Sequence, residues 1–163
     1  MLVVRGTVMQ TPSRDRFEVL RDVVLTVDEH GTIVSIDDTP SVGDVSADHV
    51  LGDDVILIPG LVDTHLHAPQ WPQLGTGLDL PLQRWLFDHT FPLEHRLTDP
   101  AFAAEVWPAM VSTLLAHGTT TVSYYATINV ETTTMLAATC VDLGQRAFVG
   151  RVGMDHPEGT PEW

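Results

Sequence analysis

His65 and His67 stand one residue apart at the end of the run Pro59-Gly60-Leu61-Val62-Asp63-Thr64-His65-Leu66-His67. On an extended strand, side chains two apart project to one face, so the run predicts the two imidazoles side by side with Asp63. Two neutral imidazole nitrogens held in this way can bind one metal ion, as zinc sites show. A bare His-x-His pair carries little by itself. Here it closes an apolar strand introduced by Pro-Gly and continues into a polar loop. The ends of parallel strands are where α/β folds place their sites, and the pair reads as half of a metal site.

Other residues are less distinctive. Gln70 on its own reads as a solvated loop residue. Trp85 can stack on a planar ligand, although a Trp in Pro81-Leu82-Gln83-Arg84-Trp85-Leu86 has the setting of packed core. Residues 119–121, three threonines, read as strand-start packing rather than as a nucleophile. His89, His95, His117 and His156 have no partner at ligand spacing, which suits surface or capping roles. Cys140 is the only cysteine. It excludes an internal disulfide and a Cys-liganded zinc deaminase site, and it fits a reducing compartment.

The elements that must carry these residues fall into two textures. Residues 1–58 predict a small β-sandwich segment, with strands at 2–9, 18–27, 32–36 and 55–58. Turn signals at Thr11-Pro12-Ser13 and Glu29-His30-Gly31 separate them, and the acidic stretch 37–54 reads as loop. Residues 59–163 predict strand–helix alternation. Leu61–His67 is the first strand, followed by a Pro/Gly-bearing loop to about Leu80 and a short amphipathic piece over 82–89. Asp99 and Pro100 suit the cap and first turn of a helix in which Phe102, Val106, Met110 and Leu114 recur at helical spacing. Gly118 suits its end, and Pro108 should kink it. A second strand is expected at 119–126, a helix at 131–143 stopped by Gly144, and a third strand at 147–154 buried on both faces. This order implies an α/β fold with parallel strands and right-handed crossovers.

Composition narrows the partners. The chain has 22 acidic against 8 basic residues, a net charge of −14, and all its basic residues are Arg. Such a surface repels nucleic acid and anionic membranes, so neither is an expected partner. Lys-free acidity suggests adaptation to high salt, with GC-rich codon bias as the alternative. No apolar run approaches the ~20 residues of a membrane-spanning helix, and the N-terminus does not resemble a signal peptide. A cytoplasmic location is expected.

The ordered series of motifs resembles the amidohydrolase superfamily and, within it, the guanine deaminases. Beyond the first-strand run it includes His67-Ala68-Pro69-Gln70, Leu78-Asp79-Leu80-Pro81-Leu82 with Trp85-Leu86, and Thr90-Phe91-Pro92-Leu93-Glu94. It continues with Gly118-Thr119-Thr120-Thr121, Ser123-Tyr124-Tyr125-Ala126-Thr127-Ile128 and Gly144-Gln145-Arg146-Ala147-Phe148-Val149-Gly150-Arg151-Val152. Together these span roughly residues 55–155; before Val55 the likeness is architectural only.

The resemblance implies a metal-bearing (β/α)8 TIM barrel, of which this chain holds about three strands, preceded by a β-sandwich segment. It implies Zn2+ as cofactor with His65 and His67 as its first two ligands, and Gln70 hydrogen-bonded to a purine base. The implied reaction is hydrolytic deamination of guanine to xanthine and ammonia, by an enzyme that forms a homodimer when complete. The family's later ligands follow its fifth, sixth and eighth strands, and its acid/base Glu lies three residues after the first of them. None of these regions occurs here; Asp155 and His156 follow only the third strand. The chain is therefore expected to be an N-terminal fragment, without catalytic residues of its own and inactive alone. Two other readings share part of the pattern. One is a sister amidohydrolase acting on adenosine-like nucleosides or chlorotriazines, which shares Leu80-Pro81-Leu82 and Trp85-Leu86; the other is a non-catalytic remnant.

Overall fold

The computed structural model describes residues 1–39 and 45–155. Contacts along the chain separate Met1–Pro59 from Gly60–Trp163.

In the first unit, β1 (Leu2–Ser13) and β2 (Arg16–Val27) form a long antiparallel hairpin, with Leu2 opposite Val27 and Ser13 opposite Arg16. β3 (Ile33–Asp38) adds antiparallel to β2, while the two-residue strands β4 (His49–Val50) and β5 (Ile56–Leu57) run parallel to β1. Val8, Val23 and Leu25 form its buried cluster, with Leu20, Ile36 and Leu57 packed against them. The described residues thus supply one layer of sheet. β4 falls inside the stretch read as loop, because two paired residues are too few to leave a pattern in the sequence. Of that stretch, residues 40–44 lie outside the described residues.

The second unit is built on β6 (Leu61–His67). A 3-10 turn (Ala68–Gln73) follows, then α1 (Leu82–Trp85), a π-helical turn (Leu86–Thr90) and α2 (Phe91–Arg96). After these come α3 (Pro100–Ala116), β7 (Thr119–Tyr125), α4 (Val130–Asp142) and β8 (Arg146–Gly150). The strands pair in parallel in the order β6-β7-β8, so α3 and α4 serve as crossovers. Both helices start on side-chain caps: Asp99 Oδ1 accepts the Ala101 N–H at 2.9 Å, and Asn129 Oδ1 accepts that of Thr132 at 2.9 Å. α3 continues through Pro108 to Ala116. Gly60 has a different task, for a Cβ there would overlap Thr120 Oγ1. The Pro-Gly that introduces β6 is what lets β6 and β7 approach so closely.

One face of this sheet is covered. Val122 and Tyr124 meet Ala103, Val106, Trp107, Met110 and Val111 of α3 and Leu136 and Cys140 of α4. The polar atoms within this layer are paired: Trp107 Nε1 donates to Thr132 O at 2.9 Å, Tyr124 OH donates to Gln145 Oε1 at 2.7 Å, and Gln145 Nε2 donates to Thr119 O at 3.0 Å. The third strand departs from the expectation of burial on both faces. It ends at Gly150, and Ala147 and Val149 are half-buried while Phe148 is 66% exposed. Helices cover one of its faces, and no described residue covers the other. Among the described residues no helix is long and apolar enough to cross a membrane.

Candidate active site

The C-terminal end of β6 does not follow simple alternation. Asp63 pairs with Val122, Leu66 with Tyr124 and His67 with Tyr125, with a register irregularity between Asp63 and Leu66. Two residues of β6 therefore stand opposite one of β7, a β-bulge. Its local cause is visible: Asp63 Oδ1 accepts the His65 backbone N–H at 3.0 Å, taking a donor that an unbroken ladder would use. Asp63 thus lies on the side of buried Val122, whereas His67 lies on the side of Tyr125. The bulge breaks the simple alternation that would align Asp63 with both imidazoles, yet Asp63 still lines one cavity with His65 and His67.

The imidazoles themselves do meet. Their Nε2 atoms are 3.1 Å apart and their ring centroids 5.1 Å apart. Tyr125 lies against both, with its ring 4.5 Å from that of His65 and 5.0 Å from that of His67, inclined by only 17° to the latter. A pair of nitrogens at this separation fits one metal ion. At Zn–N distances of ~2.0–2.1 Å it subtends roughly 100° at the ion, close to the tetrahedral value. Desolvation, and then the neighbouring His65, hold the His67 imidazole below its ordinary pKa, which favours the neutral form a metal requires. Among the described residues no group of three or more His, Cys, Asp or Glu converges on a common point, so a third protein ligand is not among them.

Two cavities adjoin this pair. The larger, about 460 Å³, is lined by both histidines, Gln70, Trp71, Leu114 and His117. The smaller, about 110 Å³, is lined by His67, Gln70, Thr90, Phe91, Glu94 and Ala126, with Val152 beyond. His67, Ala126 and Val152 stand at or just past the C-terminal ends of β6, β7 and β8, the edge at which parallel β/α folds gather their chemistry.

Gln70, in the 3-10 turn straight after β6, lines both cavities. Trp85 lines neither; its indole N–H donates to Thr76 O at 2.8 Å, and its ring lies over Gly77, at φ +65°. His89 also lies against Gly77. His117 is the C-cap of α3, and its Nδ1 is 2.8 Å from Thr113 O. His156 lies outside the described residues.

Two residues of this edge were not singled out by sequence reasoning. Tyr125 is found only through the register that sets it beside His67. Glu94 had a legible signal, because Phe91, Glu94 and Leu97 fall at helical spacing and all three are buried. A carboxylate at the middle position of such a row is out of place. Burial pushes its pKa up to about 7, against the pull of the Ile128 backbone N–H.

Residues 56–162 match the Amidohydrolase family. Human guanine deaminase is 38% identical over 99% of this chain, which covers 37% of that relative's length. The structure of a guanine deaminase from C. acetobutylicum with bound guanine superposes with a TM-score of 0.78 at 28% identity, over 96% of this chain and 37% of that one. An adenosine deaminase from Xanthomonas campestris with bound zinc gives 0.74 at 29% identity, over 91% and 33%. The chain thus spans little more than a third of the length of these relatives.

Proposed function

The chain belongs to the amidohydrolase family, and on that premise we propose that the complete gene product deaminates guanine to xanthine and ammonia with a bound metal ion. The observation that carries this reading is the convergence of His65 and His67 Nε2, 3.1 Å apart, beside a cavity that also holds Gln70. His65 and His67 are the residues that would hold the metal. When bound, a divalent metal such as zinc supplies a water whose pKa falls to about 7, a nucleophile available at neutral pH.

The chain's own side chains supply position. Tyr125 packs on both imidazoles and restricts their rotation. Gln70 offers an amide donor and acceptor to a base edge that carries both kinds of group. Trp71 and Leu114 give the larger cavity an apolar wall, which keeps water from competing for those hydrogen bonds. Trp85 enters as a prop for the turn at Thr76 and Gly77, since it lines neither cavity with Gln70.

A second reading is favoured by one comparison, the adenosine deaminase of known structure, and makes the substrate an adenosine-like nucleoside. Ammonia release from guanine and from adenosine by the complete gene product decides between them. Turnover of guanine with little of adenosine is expected, and the reverse would sink the guanine assignment. The 163-residue chain alone, with zinc added, is expected to release no ammonia from either, because two imidazoles do not complete a catalytic site that needs three ligands and an acid/base group.

A further inference from the structure

Glu94 Oε1 is one of two buried side-chain oxygens without a hydrogen-bond partner among the described residues. The side chain is only 7% exposed, and it borders the 110 Å³ cavity shared with His67 and Gln70. The carboxyl is not a loose group, since the Ile128 backbone N–H, just beyond the end of β7, bonds to it. That bond ties the carboxyl to the strand ends and leaves Oε1 an unused acceptor on a side chain that lines the cavity.

An acceptor buried without a partner costs about as much as a lost hydrogen bond, and it persists where something else fills the role. The other buried polar groups nearby do not. Thr90 Oγ1 already accepts from Gln73 Nε2 at 2.7 Å. Phe91, Leu86 and Ala126 on the same wall have no side-chain donor. No described donor of that cavity, Gln70 and His67 included, reaches Oε1, and a purine base brings ring N–H groups.

We propose that Glu94 is a specificity-determining residue whose Oε1 accepts a ring N–H of the base that Gln70 also contacts. This rests on the guanine reading and adds to it: the two side chains would grip the base from the turn after β6 and from α2. Gln70, with both donor and acceptor, tolerates several base edges. Glu94, as an acceptor, selects a base that retains a particular N–H. The burial that raises its pKa also strengthens any hydrogen bond it makes.

The test uses the complete gene product, metal-loaded, with E94Q and E94A. Glu94→Gln keeps the size of the side chain and an oxygen for Ile128, but turns an NH2 donor toward the cavity. Substrates are guanine and its 1-, 7- and 9-methyl derivatives, read as kcat/KM, or as Ki for derivatives that are not turned over. E94Q is expected to fold and bind metal as the wild type does, and to lose ten- to a hundredfold with guanine. It should lose far less with the one methylated base that has no N–H to pair. A uniform loss across all four bases, or no loss, overturns the inference and leaves Glu94 as a structural tie to Ile128. If E94A fails to fold, the E94Q series alone decides. Wild-type protein that neither deaminates nor binds guanine removes the guanine reading and this inference together. Wild-type turnover with an unmoved E94Q pattern removes this inference only.

Discussion

The two faces of the β6-β7-β8 sheet are made from alternate residues of the same strands, yet they are stabilised in different ways. On the helix-covered face Val122 and Tyr124 are almost wholly buried, every polar atom named above has a partner, and Trp107 fills the space between α3 and α4. On the other face Val62 is 63% and Phe148 66% exposed, and the ordered groups are His65, His67 and Tyr125, which lean on one another. The first face holds the unit together without regard to chemistry. The second presents chemistry and contributes little to holding the described residues together. Mutations should separate the two cleanly, with activity lost from one face and stability from the other.

The largest effect belongs to the open face. In the complete gene product, His65→Ala with His67→Ala should remove most bound metal and lower ammonia release by roughly three orders of magnitude or more, since ligands and activated water act as a unit. Thermal unfolding of the metal-free proteins should barely change. Stoichiometric metal in the double variant would show that these histidines are not the ligands.

Next comes the covered face. Trp107→Ala empties a fully buried site and leaves Thr132 O without its donor. It should cost about 3–5 kcal/mol in urea unfolding. A cost near zero would mean that α3 and α4 do not pack as described.

Glu94 lies between the two regimes, and pH is the lever. Its folded pKa of about 7 exceeds its ordinary 4.5, so the folded protein keeps a proton that the unfolded chain gives up. The stability this protonation lends is fully present below pH 4.5 and is lost as pH rises through 7, on the order of 2–3 kcal/mol in all. Urea midpoints measured from pH 4 to 8 should therefore fall more steeply for wild type than for E94Q. Parallel curves would place the carboxyl in solvent. A smaller effect is expected at Gln70: Gln70→Ala should leave metal content intact and reduce guanine kcat/KM by about 1–3 kcal/mol, the scale of a hydrogen-bond partner left unpaired. Unchanged kinetics would return Gln70 to the solvated loop.

These outcomes also bear on what the sequence makes legible. β6, α3, β7 and α4 are readable because local signals agree: Pro59-Gly60 before the strand, Asp99-Pro100 and Asn129 at helix starts, Gly118 and Gly144 at helix ends. The segment 82–96 is less so. Pro81 and Pro92 punctuate it, and it folds as α1, a π turn and α2 in direct succession, where the sequence predicts one short amphipathic piece over 82–89. At the site, the His65–His67 pair is legible from spacing. The bulge beside it is not, because strand alternation takes no account of Asp63 accepting a main-chain N–H. Tyr125 needs the inter-strand register, which no local pattern encodes.

The smallest effect tests the comparison at its finest grain, two consecutive residues of β8. Val149 faces the helices and Phe148 the open side. In the 163-residue chain, Val149→Ala should cost about 1 kcal/mol, the worth of partly buried methyl groups. Phe148→Ala should stay within about 0.5 kcal/mol despite removing a larger side chain, because that side chain is mostly in water already. The complete gene product should reverse the order. If further strands close a barrel over the open face, Phe148 becomes an interior residue, and its truncation should approach the 3–5 kcal/mol of a buried Phe. Urea unfolding of both variants in both lengths measures this directly. Equal, small costs for Phe148→Ala in the two lengths would mean that the open face stays open, and that His65 and His67 do not look into a closed barrel.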